Sequence, residues 1–551
     1  MNLKKKRVWI YLALTLALIL YVLVKSVNLN PLYLDGALFW AFTITVYTLV
    51  WVLTGMGGVR MVQDELHRGV FELVPGGKFP KQAKWIIGIP WAAIAVTVIG
   101  SSVFFNCSAY RSQIGESEIR KFSEEVQAID ISQVPVVDEQ LARKLADKKL
   151  GERPSMGSQV VLGEPTIQMV DGKLQWVVPL HHSGFFKWLT NLEGTPGYIT
   201  VSATNVKDVE YVDGKYLKYQ PGAYFFQNLT RYTRFGAALF TGIVDYSFEL
   251  DDSGEPYWVI STYKNLRGFS LPEATGVVLV HATTGETQKY AIENVPSWVD
   301  RVQPESFVMQ QINNRGEYIN GFLNWANKDK FRTSEGEIIV YNNGQCYLFT
   351  GLTSVGSDES AIGFIMVNMV TKDSFQYQMA GATESAAQSS AQGKVQHLKY
   401  TASFPLILNV NSEPTYFMTL KDYEGLIKQY AMVSVTDYSV VGTGETIQAA
   451  LRDYEQAIKN TGAQPNLDQS AEKKSVTGTV ERIAAEYNGD STDYRMILSE
   501  YPNLIFNANS QLSPELALTV PGDRVTLEYF AEDIRVTKEV GTFDNLMYQQ
   551  K

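Results

Sequence analysis

Cysteine, histidine and charged residues are all scarce in this chain. Its 551 residues include two cysteines and five histidines, and charged residues make up 19%. Two cysteines are too few for a disulfide scaffold, and Cys107 and Cys346 lack the paired spacing of a zinc site. They are expected to form either two free thiols or one disulfide. The histidines match no HExxH-type motif, so neither a metal nor any other cofactor is predicted.

Positive charge is also sparse. The chain has no long basic run outside its first residues, and its net charge is −10. Because nucleic-acid binding relies on a basic surface, this composition predicts no nucleic-acid partner. Hydrophobic residues make up 45% of the chain, and its length favours several folded domains over one.

Three long apolar runs lie within the first 105 residues. They extend from Val8 to Val24, from Ala37 to Met56 and from Trp85 to Phe105. Each is close to the ~20 residues that a helix needs to cross ~30 Å of hydrocarbon. Residues 1–105 are therefore predicted to form three transmembrane helices in a lipid bilayer. A cleaved signal peptide is the alternative interpretation of the first run.

Basic residues flank these runs unevenly. Lys4–Arg7 precede the first run, whereas the loop between the first two runs has only Lys25. The loop between the second and third runs contains Arg60, Arg68, Lys78, Lys81 and Lys84. Because cationic loops stay in the cytoplasm, a cytoplasmic N-terminus and an extracytoplasmic region after the third helix are predicted. The predicted location is the cell (plasma) membrane, with multiple passes.

Residues 106–155 are predicted to form a helical stalk or clamp. Helical spacing occurs from Glu116 to Ile129 and again from Val136 to Gly151. In the second segment Leu141, Leu145 and Leu150 lie on one face, and Gly151 is a stop signal.

A polar turn followed by aromatic and β-branched residues occurs four times after this segment. It appears as DDSGEPYWVIS at residues 251–261 and in similar form at 170–180, 342–352 and 410–420. Such a pattern is typical of β-hairpins. Trp176, Trp258, Tyr347 and Phe417 are predicted to occupy equivalent places after the turn. Modules one and two are predicted in residues 156–295, and modules three and four, with covering helices, in residues 296–461. The predicted fold of this region is therefore α+β, made of repeated antiparallel β modules.

The second and third modules continue with similar β segments. Thr284 aligns with Thr371, and Tyr290 with Tyr377. DDSGEPYWVIS followed by VVLVHATTGETQKY is similar to PepSY-type modules, which are small extracytoplasmic α+β units. The resemblance covers roughly residues 246–290. It implies inhibitory, assembly or interaction roles near the cell envelope and implies no catalytic residue.

The C-terminal part has a different pattern. Residues 462–475 are polar and are predicted to be a linker. Residues 476–551 alternate apolar and polar side chains in five short segments. This pattern predicts a small β-barrel of OB-like or SH3-like type.

Few patterns suggest chemistry. Ser261-x-x-Lys264 and Ser470-x-x-Lys473 have the spacing of serine acyl enzymes, which place the serine at the start of a helix. Here the first serine is on a predicted strand and the second is in the predicted linker. His181 and His182 would point to opposite faces of a strand and would not chelate one ion. No catalytic, cofactor-binding or metal-binding residue is predicted.

Residues 221–240 combine aromatic and arginine side chains, which are enriched at protein interfaces. The predicted interaction surface consists of Tyr224, Phe225, Phe226, Arg231, Tyr232, Arg234 and Phe235. A role in covering a sheet and apposition to the outer leaflet are the alternatives.

These features together predict a membrane-anchored, non-enzymatic interaction or scaffold protein that binds another envelope protein. The alternative is an envelope hydrolase or ligand sensor whose site is assembled from residues distant in sequence. A cleft containing buried acids and hydroxyls with perturbed pKa values would favour that alternative.

Overall fold

The computed structural model describes residues 3–55, 59–63, 69–73, 80–120, 135–342, 344–356, 360–410, 413–460, 473–487, 492–510, 512–530 and 537–548. The chain divides into two compact units, Met1–Thr461 and Gly462–Lys551. Most of the predicted linker, residues 462–472, lies outside the described residues.

Three apolar helices open the first unit: α1 (Leu3–Lys25), α2 (Leu34–Gly55) and α3 (Lys81–Gly100). Their candidate membrane spans have 19, 21 and 20 residues, with mean hydropathy of 2.2, 1.8 and 1.6. Strands β1 (Val59–Gln63) and β2 (Gly69–Leu73) pair between α2 and α3. The prediction of three apolar helices able to anchor the chain in a membrane is confirmed. The side of the membrane that each end faces stays a prediction.

Four sheets follow in the first unit, and nearly all their strand pairs are antiparallel. Sheet one contains β4 (Val160–Leu162), β5 (Thr166–Val170), β6 (Lys173–His182), β7 (Thr195–Ser202) and β8 (Val209–Leu217). Sheet two contains β9 (Gly242–Leu250), β10 (Pro256–Arg267), β11 (Ser270–His281) and β12 (Thr287–Ala291). Sheet three contains β3 (Glu118–Arg120), β13 (Phe331–Thr333), β14 (Ile338–Asn342), β15 (Gln345–Ser354), β16 (Ala361–Asn368) and β17 (Ser374–Gly381). Sheet four contains β18 (Thr401–Ala402), β19 (Leu406–Val410), β20 (Glu413–Lys421), β21 (Ile427–Ser434) and β22 (Val441–Gly444).

Helices separate or cover these sheets. They are α4 (Val103–Ser112), α5 (Glu139–Gly151), α6 (Phe185–Thr190), α7 (Leu229–Gly236), α8 (Glu305–Glu317), α9 (Glu384–Lys394) and α10 (Ile447–Asn460). A one-turn helix spans Pro154–Gly157, and 3₁₀ turns span Phe225–Gln227, Ile292–Asn294 and Gln396–Leu398. Asp138 caps α5 by accepting a hydrogen bond from the Leu141 N–H at 3.0 Å. Leu141 and Leu150 are buried, and α5 lies against sheet one.

The helix predicted from Glu116 is wrong at its beginning. Residues Glu118–Arg120 form β3, which pairs in parallel with Phe375–Tyr377 of β17. The free edge of sheet three offers unpaired backbone groups, and pairing with them outweighs a weak local preference for helix. The rest of that predicted helix, from residue 121, lies outside the described residues.

The four sheets pack against one another in a closed circuit. Sheet one shares an apolar core with sheet two, two with three, three with four, and four again with one. Representative pairs in these cores are, in that order, Val177 and Trp258, Val259 and Val370, Met379 and Ile407, and Phe417 and Val178. Lys421 of sheet four also forms an ion pair with Asp138, the cap of the helix on sheet one.

A glycine occupies the same place in the first three sheets. At Gly197, Gly276 and Gly363 an added Cβ would lie 1.9–2.0 Å from a carbonyl oxygen of the neighbouring strand. Gly276 and Gly363 also have φ of 146° and 144°. A β-bulge or register slip accompanies each glycine, so only a residue without a side chain fits there.

Counting from these glycines allows the strand registers of the sheets to be compared. Trp176 and Trp258 each pair with the residue four positions after the glycine of their own sheet. In sheet three, the residue four positions after Gly363 pairs with Leu348. The corresponding register slip in sheet four makes Tyr416 equivalent. The predicted anchors Tyr347 and Phe417 are therefore one residue away from the structural equivalents, on the opposite face of their strands.

The second unit contains β23 (Lys473–Tyr487), β24 (Thr492–Leu498), β25 (Tyr501–Asn509), β26 (Arg524–Phe530) and β27 (Thr537–Asn545), with a 3₁₀ turn at Pro514–Leu518. These strands pair in the closed order β23-β24-β25-β27-β26, in which only β25 and β27 are parallel. Met496, Phe506 and Leu527 are among the fully buried residues of its core.

Candidate membrane-proximal surface

Helix α7, in the middle of the predicted interaction surface, lies against the end of α1. Asn228 caps α7 by accepting a hydrogen bond from the Arg231 N–H at 3.2 Å. The Arg231 side chain donates from Nε to the carbonyl oxygen of Leu23 at 2.7 Å and from Nη2 to that of Val24 at 3.0 Å. Arg234 donates to the carbonyl oxygen of Ser26 at 3.2 Å. Arg231 therefore satisfies carbonyl groups that the end of α1 leaves without partners, and Arg234 binds the carbonyl of the residue that follows the helix.

The connection between α1 and α2 also contacts sheet two and the residues before it. Asn30 Nδ2 donates to the Phe240 carbonyl at 2.8 Å, and the Tyr33 hydroxyl donates to the Tyr263 carbonyl at 2.6 Å. Gly242 leaves room for the Tyr33 ring, because an added Cβ would lie 2.5 Å from it.

The end of α3 has a third set of contacts. The turn between β10 and β11 places Gly268 so that an added Cβ would lie 2.8 Å from Thr97 and 3.0 Å from Ser101. Gln113, beyond α4, donates to the Pro272 carbonyl at 2.8 Å. The sheet-containing part of the first unit is thus attached to one end of each apolar helix, namely the end of α1 near residue 25, the beginning of α2 near residue 34 and the end of α3 near residue 100.

The seven residues of the predicted interaction surface divide into two groups. Phe225 and Phe226 are 62% and 60% exposed, and Tyr224 is 38% exposed. Arg231 and Arg234 hold α1, and Tyr232 donates to the Gly285 carbonyl at 2.8 Å. Phe235 is half-buried. Of the seven residues, the three aromatics before α7 are exposed, whereas the two arginines and Tyr232 form hydrogen bonds within the chain.

Buried acids meet where sheets one, two and three approach one another. Glu249 of β9 is fully buried and accepts hydrogen bonds from the Asp300 N–H at 2.9 Å and the Ser247 hydroxyl at 2.6 Å. The Tyr341 hydroxyl of β14 donates to Asp300 Oδ2 at 2.7 Å. Burial, reinforced by the charge of Asp300, raises the pKa of Glu249 to about 8. Burial also raises the pKa of Asp300 to about 6. Sequence reasoning missed this cluster, although an acid between Phe248 and Leu250 on an apolar strand was a signal.

This cluster is enclosed. Next to it Arg301 pairs with Glu305 at 2.9 Å. A cavity of about 100 Å³ lies nearby and is lined by Tyr257, Leu279, Glu286, Gln288, Tyr290, Pro296 and Trp298. Neither Glu249 nor Asp300 lines that cavity, and both acids are buried.

The histidine, serine and cysteine candidates considered in the sequence form no reactive group of residues in the described parts of the chain. His181 lies 5.9 Å from the Trp258 ring, and burial lowers its pKa to about 4. The Ser261 hydroxyl donates to the Val302 carbonyl at 2.9 Å, while Ser470 lies outside the described residues. Cys107 and Cys346 are free thiols, and burial raises the pKa of Cys346. Across the described ranges, no three His, Cys, Asp or Glu side chains lie close enough to hold a metal ion.

No family model matches this chain, and no curated protein matches it either. Among solved structures, a levansucrase mutant from B. megaterium is 10% identical over 78% of this chain and 96% of its own, with a TM-score of 0.19. An exo-1,5-alpha-L-arabinanase from a bovine ruminal metagenomic library is 10% identical over 55% of this chain and 80% of its own, with a TM-score of 0.16. TM-scores this low establish no common fold.

Proposed function

We propose that this protein is a non-enzymatic scaffold of the cell envelope, anchored by three transmembrane helices, which binds another envelope protein through its extracytoplasmic region. The observation that carries this proposal is the attachment of the four-sheet circuit to all three helix ends. Arginine, asparagine and tyrosine side chains make these contacts. They would hold the sheets as a fixed platform beside the membrane.

The orientation is part of the proposal. Lys4–Arg7 lie at the beginning of α1, and Lys81 and Lys84 at the beginning of α3, which are the ends of these helices opposite residues 25 and 100. Because such residues stay in the cytoplasm, the sheets would be extracytoplasmic.

We further propose that the four sheets are repeated modules of PepSY-like type. The shared bulge glycines Gly197, Gly276 and Gly363 support repetition. The matching positions of Tyr290 and Tyr377 also support it, because each tyrosine pairs with the residue that directly follows the glycine of its sheet. For the second unit, the five-stranded closed order with one parallel pair favours an OB-like fold over an SH3-like one.

The buried acids provide the one observation that favours a second candidate, an envelope hydrolase or ligand sensor. The raised pKa values of Glu249 and Asp300 are of the kind found in active sites. Their enclosure between sheets supports a structural role instead.

Photo-crosslinking in intact cells tests the scaffold proposal. A photoreactive residue is placed at Tyr423, Tyr438 or Met547, which are all exposed. We expect a discrete protein adduct from at least one position. The purified chain in lipid nanodiscs is the control, because an adduct that persists there reports self-association. Absence of protein adducts at all three positions in cells would contradict the proposal.

A further inference from the structure

Two exposed aromatic clusters lie beside the helix ends that hold the sheets. The first wedge consists of Phe185, Phe186, Leu189, Tyr224, Phe225 and Phe226. The second wedge consists of Phe104, Phe105, Phe322, Leu323 and Trp325. Phe186 is 76% exposed, Leu323 68% and Trp325 84%, which is unusual for side chains of this size in contiguous groups.

The first wedge is fixed to the end of α1. The Arg231 guanidinium that donates to the Val24 carbonyl also donates to the Phe225 carbonyl at 2.7 Å. One planar group thus joins the wedge backbone to the last turn of the apolar helix. Ring contacts of Phe185 with Tyr224 at 5.2 Å and of Trp188 with Phe225 at 5.6 Å complete the wedge.

The second wedge is fixed to the end of α3. Phe104 follows the last residue of α3, Gly100, by four positions, and its ring contacts that of Phe322 at 5.6 Å. Arg111 Nη1 donates to the Ile319 carbonyl at 3.1 Å and holds the segment that carries Leu323 and Trp325.

The β10–β11 turn indicates the level at which the wedges lie. Gly268 contacts Thr97, three residues before the end of α3, which at 1.5 Å per residue is ~5 Å inside that end. Leu266, near the end of β10 and two residues before Gly268, is exposed. The edge of the sheet region therefore overlaps the last turn of an apolar helix whose length matches the hydrocarbon layer.

We propose that both wedges insert into the interfacial layer of the leaflet next to the sheets, so that lipid headgroups and upper acyl chains are their partner. Phenylalanine, tyrosine, tryptophan and leucine are the side chains that occupy this layer. Lys187 and Lys328 adjoin the two wedges and place cationic groups at headgroup level. The sheet region then has lipid contacts of its own in addition to its three helices. This inference holds whichever leaflet the sheets face.

Nitroxide accessibility in the full chain tests it. Single cysteines replace Phe226 and Leu323 in a Cys107→Ala background, since Cys346 is only 2% exposed, and the Tyr423→Cys variant is the aqueous control. The labelled chains are placed in phosphatidylcholine–phosphatidylglycerol nanodiscs, and collisions with oxygen and with a water-soluble nickel chelate are measured. Phe186→Cys and Trp325→Cys are second variants for the same wedges.

We expect labels in both wedges to collide with oxygen and to show several-fold less nickel contact than the label at position 423. Nickel contact equal to that of the control would overturn the proposal for the wedge concerned. Exclusion of both reagents would also overturn it, because that pattern means burial against protein. Unchanged gel filtration and melting of each labelled chain establish that it is folded.

Discussion

Replacing Glu249 by glutamine tests whether the buried acids between sheets one, two and three hold a proton in the folded chain. Burial and the neighbouring Asp300 raise the pKa of Glu249 from 4.5 to about 8. The folded state therefore binds this proton more tightly than the unfolded state. The resulting stabilisation is fully present below pH 4.5 and is lost as the pH rises through 8. Since one pKa unit corresponds to ~1.4 kcal/mol, the loss is on the order of 3–5 kcal/mol.

The assay is the thermal midpoint of the full chain in detergent, followed by tryptophan fluorescence between pH 5 and 9. The glutamine amide can still accept from the Asp300 N–H and can donate to Ser247, but it does not titrate. We expect the midpoint of the native chain to fall by on the order of 5 °C more than that of Glu249→Gln over this range. Glu293→Gln, at an exposed position, should behave like the native chain. Parallel pH dependence of the native and Glu249→Gln chains would refute the reasoning.

Three further results are expected. Arg231→Ala removes two charge-assisted hydrogen bonds to the end of α1, so the backbone amides of α7 should exchange with deuterium faster. Arg267→Ala, at the exposed end of β10, should leave these exchange rates unchanged. Equal exchange rates in the two variants would contradict the role of Arg231. Gly363→Ala should lower the free energy of unfolding by more than ~2 kcal/mol, because the added Cβ would lie 2.0 Å from a carbonyl oxygen. Gly393→Ala in α9 should not, because its Cβ would meet nothing within 4 Å. Similar thermal midpoints for the two variants would refute the bulge argument. A cysteine at Tyr423 should react with a membrane-impermeant maleimide on intact cells, and labelling only after permeabilisation would reverse the proposed orientation.

The three apolar helices, the hairpins and the covering helices were predictable because each depends on local patterns. Apolar length predicts α1 to α3, and the polar turn before Pro256 predicts β10. The closed packing of sheets was not predictable, since residues of one core, such as Val178 and Phe417, lie far apart in sequence. The one-residue error at Tyr347 has a similar cause: both faces of β15 are apolar, so alternation gives no indication of which side faces which core.

The contacts of Arg231 could not be foreseen either. An arginine among aromatics is typical of interfaces, but sequence alone does not distinguish an external partner from another part of the same chain. Binding of an external partner at the predicted surface stays a prediction, and Arg231 contacts α1, which lies about 200 residues earlier. Exposure then separates the three aromatics before α7 from the residues engaged inside the chain.

The contact between sheets four and one has a consequence for biosynthesis. The face of sheet one that carries Val178 and Leu180 is completed by Phe417 and Tyr454, which are synthesised more than 200 residues later. During synthesis, the nascent chain must keep this apolar face from aggregating until nearly the whole first unit has emerged. Stalled or prematurely terminated chains would present it to chaperones and proteases, so quality control should recognise almost any incomplete product.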